Sequence, residues 1–183
     1  DFPDNEYNDE LHRMVGEIYY QDSIYDKAAS HLEIYHELRL KTNRNVMRND
    51  LYLLGVSNYR IAQYNQAINY LKQVKHESDS ISESTYLHLG HSYLRINDIE
   101  KAILAYSAAI ELNIHPTLRE EAMYNYVQAT YLQNSALGES ITAFQTFIRE
   151  YPCSKYIDKV YALMADMYLT SKNYQAALNA LLE

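Results

Sequence analysis

Little in this sequence interrupts a helix. Its 183 residues include four glycines and three prolines, which excludes collagen-like and low-complexity chains and leaves few stops for long helical segments. The one cysteine, Cys153, cannot form an internal disulfide framework. No cysteine–histidine nucleophile pattern accompanies it, so it reads as a partly buried loop thiol. No run of about 18 apolar residues occurs, so no segment reads as a membrane-crossing helix. Bases are outnumbered, with 16 Lys and Arg against 24 Asp and Glu for a net charge of −8. The densest basic cluster, Lys72, Lys75 and His76, is followed at once by acid, so nucleic acid is not an expected partner. Tryptophan is absent while tyrosine reaches 20 residues. A repeat explains this, because one aromatic position copied several times multiplies its residue.

The repeat itself is legible from the small residues. Aligned on one position, the chain reads Gly16, Gly55, Gly90, Gln128 and Ala165, spaced by 39, 35, 38 and 37 residues. Twelve residues later it reads Ala28, Ala67, Ala102, Ser140 and Ala177. Between and after these fall Tyr19, Tyr59, Tyr93, Tyr131 and Tyr168, then apolar positions such as Leu32, Leu71, Tyr106 and Phe144, at helical spacing. A glycine inside a helix costs about 1 kcal/mol against alanine and needs a packing reason. The reason expected here is close approach of two antiparallel helices. Polar breaks at Asp22-Ser23, 42–48 and 75–83, and at His115-Pro116 and Tyr151-Pro152, separate the segments, with Ser82 or Ser84 as the expected cap after the third break.

The best copy, Tyr86, Leu89-Gly90, Tyr93, Ala102, Tyr106 and Ala109, resembles the tetratricopeptide repeat, a helix-turn-helix of about 34 residues. The resemblance runs from about Asp9 to Glu183. It implies an all-α, right-handed superhelical solenoid of about five such repeats, near 9–42, 48–81, 83–116, 121–154 and 158–183, after a tail over 1–8. Gln128 in place of Gly and Ser140 in place of Ala depart from the family pattern in the fourth copy. A last helix ending Leu181-Leu182-Glu183 lacks a polar capping helix behind it, so the chain is expected to be part of a longer one, the alternative being that this end pairs with another copy. A narrower likeness lies in Phe144, Phe147-Ile148, Tyr151-Pro152 and Ser154. This phrase is similar to the repeats of bacterial outer-membrane assembly lipoproteins and of the periplasmic coordinator of the Tol–Pal system, and the Tyr- and Asn-rich composition resembles envelope-associated repeat proteins of Bacteroidetes.

Chemistry-bearing patterns are sparse. His88 and His91 lie about one turn apart, but no third ligand falls at a suitable spacing, so they read as surface or groove histidines. His31 and His36 sit off one face and read as solvated. The glycines are isolated within helices, so no phosphate-cradling loop or other cofactor motif exists. Glu120-Glu121 and Asp98 with Glu100 read as helix-start charges favoured by the dipole. No enzyme, cofactor or metal is expected.

The resemblance assigns partner binding to the concave face lined by the first helix of each repeat. There it implies Arg13, Tyr20, Tyr52, Val56, Tyr59, Arg60, Leu87, His91, Leu94, Arg95 and Leu132 as partner-binding residues. The arginines would anchor a carbonyl or carboxylate. An acid at Glu17, beside Arg13, disfavours the chaperone-tail type of this fold, which grips a C-terminal carboxylate. The expected function is a noncatalytic scaffold for a peptide or protein partner, in the bacterial periplasm or at the periplasmic face of the outer membrane, with no membrane insertion by this region. The alternative is a cytoplasmic sensor module fused to a signalling or DNA-binding domain.

Overall fold

The small-residue positions predict helix pairs pressed together, and each such pair is an antiparallel hairpin. The computed structural model describes residues 8–74, 76–133 and 137–182. Ten helices run through them: α1 (Asn8–Gln21), α2 (Tyr25–Lys41), α3 (Arg48–Arg60), α4 (Tyr64–Leu71), α5 (Ser80–Arg95), α6 (Ile99–Leu112), α7 (Pro116–Leu132), α8 (Leu137–Glu150), α9 (Ile157–Thr170) and α10 (Tyr174–Leu182). Consecutive helices pack in pairs, and the second helix of each pair packs on the first helix of the next. The described residues are all-α, a solenoid of hairpins. Of the tail expected over 1–8, residues 1–7 lie outside the described residues and Asn8 opens α1; Lys75 of the basic cluster lies outside them too.

The glycines are where the paired helices meet. A Cβ on Gly16 would sit 2.7 Å from Leu32 Cγ, and one on Gly55 would sit 2.5 Å from Leu71 Cγ. One on Gly90 would meet the Tyr106 ring, 2.6 Å from Cδ1 and 2.9 Å from Cζ. All three facing side chains are fully buried, so none can step aside. In the fourth hairpin α7 leaves room at this position: Gln128 is half-buried and its amide donates to the Tyr124 hydroxyl at 2.9 Å. The alanine position twelve residues on is buried in every hairpin, Ser140 included. There Ser140 Oγ donates to the Thr130 carbonyl at 3.1 Å.

Four of the hairpin turns share one geometry that uses no glycine. Ser23, Ala62, Asn97 and Lys172 all have φ between 60° and 62°. The next residue's N–H closes each turn on the first helix, Ile24 to Tyr19 at 2.8 Å, Gln63 to Asn58 at 2.9 Å, Asp98 to Tyr93 at 2.9 Å and Asn173 to Tyr168 at 2.8 Å. This is the Schellman arrangement at a helix C-terminus. A left-handed alanine is strained, so Ala62→Gly is expected to stabilise the chain by about 0.5–1 kcal/mol in thermal or urea unfolding.

Connections between hairpins are held by ion pairs and charged hydrogen bonds reaching back one repeat. Asp9 accepts from Arg44 (3.3 Å), and Arg48 forks onto Asp79 (2.5 and 2.7 Å). Arg119 donates to Glu150 (2.7 Å) and to the Tyr151 hydroxyl (2.5 Å). Asp79, with its carboxylate accepting from the Ser82 N–H at 2.9 Å, is the cap of α5. Ser82 and Ser84, expected in that role, lie inside the helix instead. Ser82 is buried, and its hydroxyl takes Arg48 (2.6 Å) and the Glu77 N–H (2.8 Å). The Arg48 guanidinium also holds the Asp79 carboxyl far below the ordinary carboxylate range. Asp98 caps α6 and Pro116 opens α7, as their positions at the breaks suggest.

Candidate functional site

Curvature follows from which helices touch. The backbones of α1 and α3, α3 and α5, α5 and α7, and α7 and α9 approach one another. Among the described residues the second helices do not, and they reach each other through long side chains such as His36, edge-on to Tyr70 at 5.4 Å. A stack closer on its first-helix side bends toward that side, so the first helices line the inner face.

On that face the sequence's tyrosines and arginines form a ladder. Tyr20 meets Tyr25 edge-on at 5.6 Å, and one repeat later Tyr59 meets Tyr64 at 5.9 Å. Arg60 lies over the Tyr25 ring (5.7 Å) and Arg95 over the Tyr64 ring (6.0 Å), so each arginine reaches back to the preceding hairpin. Both arginines are exposed, and among the described residues neither is paired with a carboxylate. Tyr20, Tyr52 and Tyr59 are half-buried over the core formed by Val56, Leu71 and Leu89. Burial, with Tyr52 and Tyr25 close by and against the pull of Arg60, pushes the Tyr20 phenol up to about 12. Burial raises Tyr52 as well, against a Ser84 hydrogen bond and Arg60. Both hydroxyls therefore stay protonated and able to donate.

Below the ladder lies an aromatic cluster between α3 and α5. His88 meets Tyr52 (6.0 Å) and Tyr59 (5.7 Å), and His91 stacks on Tyr59 (5.9 Å) and meets Tyr106 (5.6 Å). His88 Nδ1 donates to the Ser84 carbonyl at 2.8 Å, which fixes its tautomer. Burial lowers both imidazoles. His91 falls to about 3, with His88, Arg60 and Arg95 adding to the effect. Among the described residues no group of three His, Cys, Asp or Glu side chains is placed to hold a metal ion.

These neutral histidines give the fold a pH dependence. The unfolded chain takes up protons near pH 6.5, which the folded one refuses, His91 until about pH 3. Stability is therefore complete above 6.5 and is lost as pH falls toward 3. For His91 alone the loss at pH 5 is roughly 2 kcal/mol. The urea midpoint should drop between pH 7 and pH 5, before the carboxylates titrate, and drop less in His91→Phe.

Several expected site residues lie elsewhere. Val56 and Leu87 are buried in the core and cannot touch a partner, because their side of each helix is turned onto a neighbouring helix. Arg13 is occupied by its own helix, bonded to Glu10 and Glu17 at 2.8 Å each, and both acids neutralise it. His91 is half-buried, with Nε2 3.8 Å from Glu121, and Leu94 half-buried against the third hairpin's core. Leu132 is exposed at the end of α7. His31 is not solvated, since its Nδ1 lies 3.0 Å from His12 Nδ1 and its ring stacks on Tyr19 at 5.6 Å. Cys153 is exposed rather than partly buried. Tyr25 and Tyr64, the floor beneath the two arginines, were absent from the expected set. Their place at the start of each second helix was the available signal.

No described helix is long and apolar enough to cross a membrane. Tetratricopeptide-repeat models match residues 51–80 and 83–113. No curated protein matches the chain. Among solved structures, the MamA protein superposes with a TM-score of 0.75 at 21% identity, over 96% of this chain and 89% of that one. YrrB, described as a tetratricopeptide-repeat protein with an unusual peptide-binding site, gives 0.75 at 14% identity, over 98% and 86%. A putative kinesin light chain of Podosopora anserina gives 0.70 at 14%, over 97% and 94%. The chain thus carries tetratricopeptide repeats at 51–80 and 83–113 within an all-α solenoid of the tetratricopeptide type.

Proposed function

We propose that this chain is a noncatalytic scaffold that holds an extended polypeptide against its inner face, on the first three hairpins. The observation that carries this reading is the pair of exposed arginines, Arg60 and Arg95, held on tyrosine rings without a carboxylate in a protein of net charge −8. A guanidinium fixed on an aromatic face is oriented before binding, so it loses little freedom when it takes a carbonyl or carboxylate. Tyr20, Tyr52, Tyr59 and Leu94 supply apolar area with phenol donors at its edge, the composition of binding hot spots. The partner is a peptide segment with apolar side chains and at least one acid. The Phe144 to Ser154 phrase supports a place in the bacterial envelope, where fractionation should recover the native protein; recovery from the cytosol would contradict that placement.

The test is peptide selection from a random display library on the immobilised chain, followed by anisotropy titration. Arg60→Glu/Arg95→Glu should weaken the selected peptides at least tenfold, about 1.4 kcal/mol, without loss of helicity. Leu104→Glu, exposed on the outer helix α6, should leave affinity unchanged. Equal binding by both variants would remove the inner face from the account.

A further inference from the structure

The two ladder arginines occupy one position of the repeat, five residues after its small residue. Along the chain that position reads Gln21, Arg60, Arg95, Gln133 and Thr170. The ring beneath each guanidinium comes from the preceding hairpin, nine residues after its small residue, a position that reads Tyr25 and Tyr64 and then Ile99. Both partners of the stack therefore change together after the second rung. At this level the inner face carries two oriented positive charges, with an uncharged amide on either side.

The spacing between the charges follows from the packing. Each guanidinium lies over its ring at nearly the same distance, 5.7 and 6.0 Å, so the two are equivalent points on neighbouring first helices. Helices α3 and α5 pack directly, which puts equivalent points about 9 Å apart. Few backbone shapes present two side chains on one side at that step. A β-strand does so at about 7 Å, over two residues, or about 13 Å, over four. Polyproline II has three residues per turn and a rise of about 3.1 Å, so side chains three apart share a side at about 9 Å. An α-helix comes near this with residues seven apart, about 10.5 Å, but its carbonyls are already bonded. Polyproline II leaves its carbonyls free, and the inner face supplies donors for them. Among the described residues the Tyr20 and Tyr59 hydroxyls have no hydrogen-bond partner. Aromatic-lined grooves are where polyproline II segments dock.

We infer that the partner segment is polyproline II with two acidic side chains three positions apart, one on Arg60 and one on Arg95. This rests on the inner-face reading and narrows it to one conformation and one spacing.

Anisotropy titration of the full 183-residue chain tests it with labelled proline-rich peptides of equal length and charge. Their paired acids are spaced as Glu-Pro-Glu, Glu-Pro-Pro-Glu or Glu-Pro-Pro-Pro-Glu, and an alanine-based helical peptide carries two glutamates seven apart. Glu-Pro-Pro-Glu should bind at least tenfold tighter than the other three, about 1.4 kcal/mol. In Arg60→Gln or Arg95→Gln, both exposed positions, that advantage should vanish and the three proline-rich peptides should bind alike. Circular dichroism checks that helicity is kept. Equal affinity for the three spacings in the unmodified chain, still lost in Arg60→Glu/Arg95→Glu, would overturn the inference and leave the inner-face reading standing. Tightest binding by the helical peptide would overturn it in the same way. Binding of every peptide that is indifferent to Arg60→Glu/Arg95→Glu would remove the inner-face reading, and the inference with it.

Discussion

Gly90→Leu is expected to destabilise the chain by about 3 kcal/mol or more, the upper end of what overpacking costs. The Gly90 backbone lies against the flat of the Tyr106 ring, and even a single Cβ there would fall 2.6 Å from Cδ1. Tyr106 is fully buried among Leu87, Ala102, Ala109 and Ala122, so the ring has nowhere to go. Its hydroxyl finds no hydrogen-bond partner among the described residues, so shape rather than polarity holds it in place. A double-mutant cycle separates this from a general helix effect. Gly90→Ala should cost about 1–3 kcal/mol in the natural background. In Tyr106→Ala, where the ring is gone, the same change should be neutral or stabilising, because alanine is the better helix former by about 1 kcal/mol. A cost that is the same in both backgrounds would show that the close approach does not constrain this hairpin.

Glu83→Ala is the second large effect, expected at about 3 kcal/mol. The Glu83 side chain is completely buried at the start of α5 and reaches across one repeat to the loop before α7. It accepts the Ile114 N–H at 2.9 Å, the His115 N–H at 3.0 and 3.1 Å, and meets His115 Nδ1 at 2.8 Å. Alanine leaves these donors without an acceptor and a hole where the carboxylate stood. Glu83→Gln keeps an acceptor oxygen and should lose roughly half as much. Urea unfolding gives the magnitude, and amide exchange gives the place, since Ile114 and His115 should lose protection first. An unchanged midpoint for Glu83→Ala would mean that this junction is held by apolar packing alone.

The contrast between these two residues explains what the sequence could show. Gly90 recurs as Gly16 and Gly55, and its packing recurs with it, so the hairpins are legible as a period. The position of Glu83, seven residues before the small residue, reads Asp9, Arg48, Glu83, Glu121 and Asp158, and its bonds differ from copy to copy. The same task, fastening one hairpin to the connection after it, is done by Asp9 with Arg44, by Arg48 with Asp79, and by Arg119 with Glu150 and Tyr151. Any complementary pair serves, so the sign and the partner change between copies and no single pattern spells the junction. The left-handed turns are hidden for a similar reason, since Ser23, Ala62, Asn97 and Lys172 share a backbone shape and no chemistry.

The inner face was half legible. Tyr20, Tyr52 and Tyr59, with Arg60 and Arg95, fall on the first helices as their positions require. Val56 and Leu87 were assigned to the surface by family position, and neighbouring helices bury them. Tyr25 and Tyr64 stayed out of view because their role depends on an arginine that arrives from the following hairpin.

The most direct measurement is photocrosslinking from the ligand side. A selected peptide carrying a benzophenone residue is bound to the unmodified chain, irradiated, and the attachment points are mapped by mass spectrometry. Attachment at Tyr20, Tyr52, Tyr59 or Leu94 is the predicted result. Attachment on the outer helices α4 and α6, for instance at Leu104, would contradict the placement of the partner on the inner face.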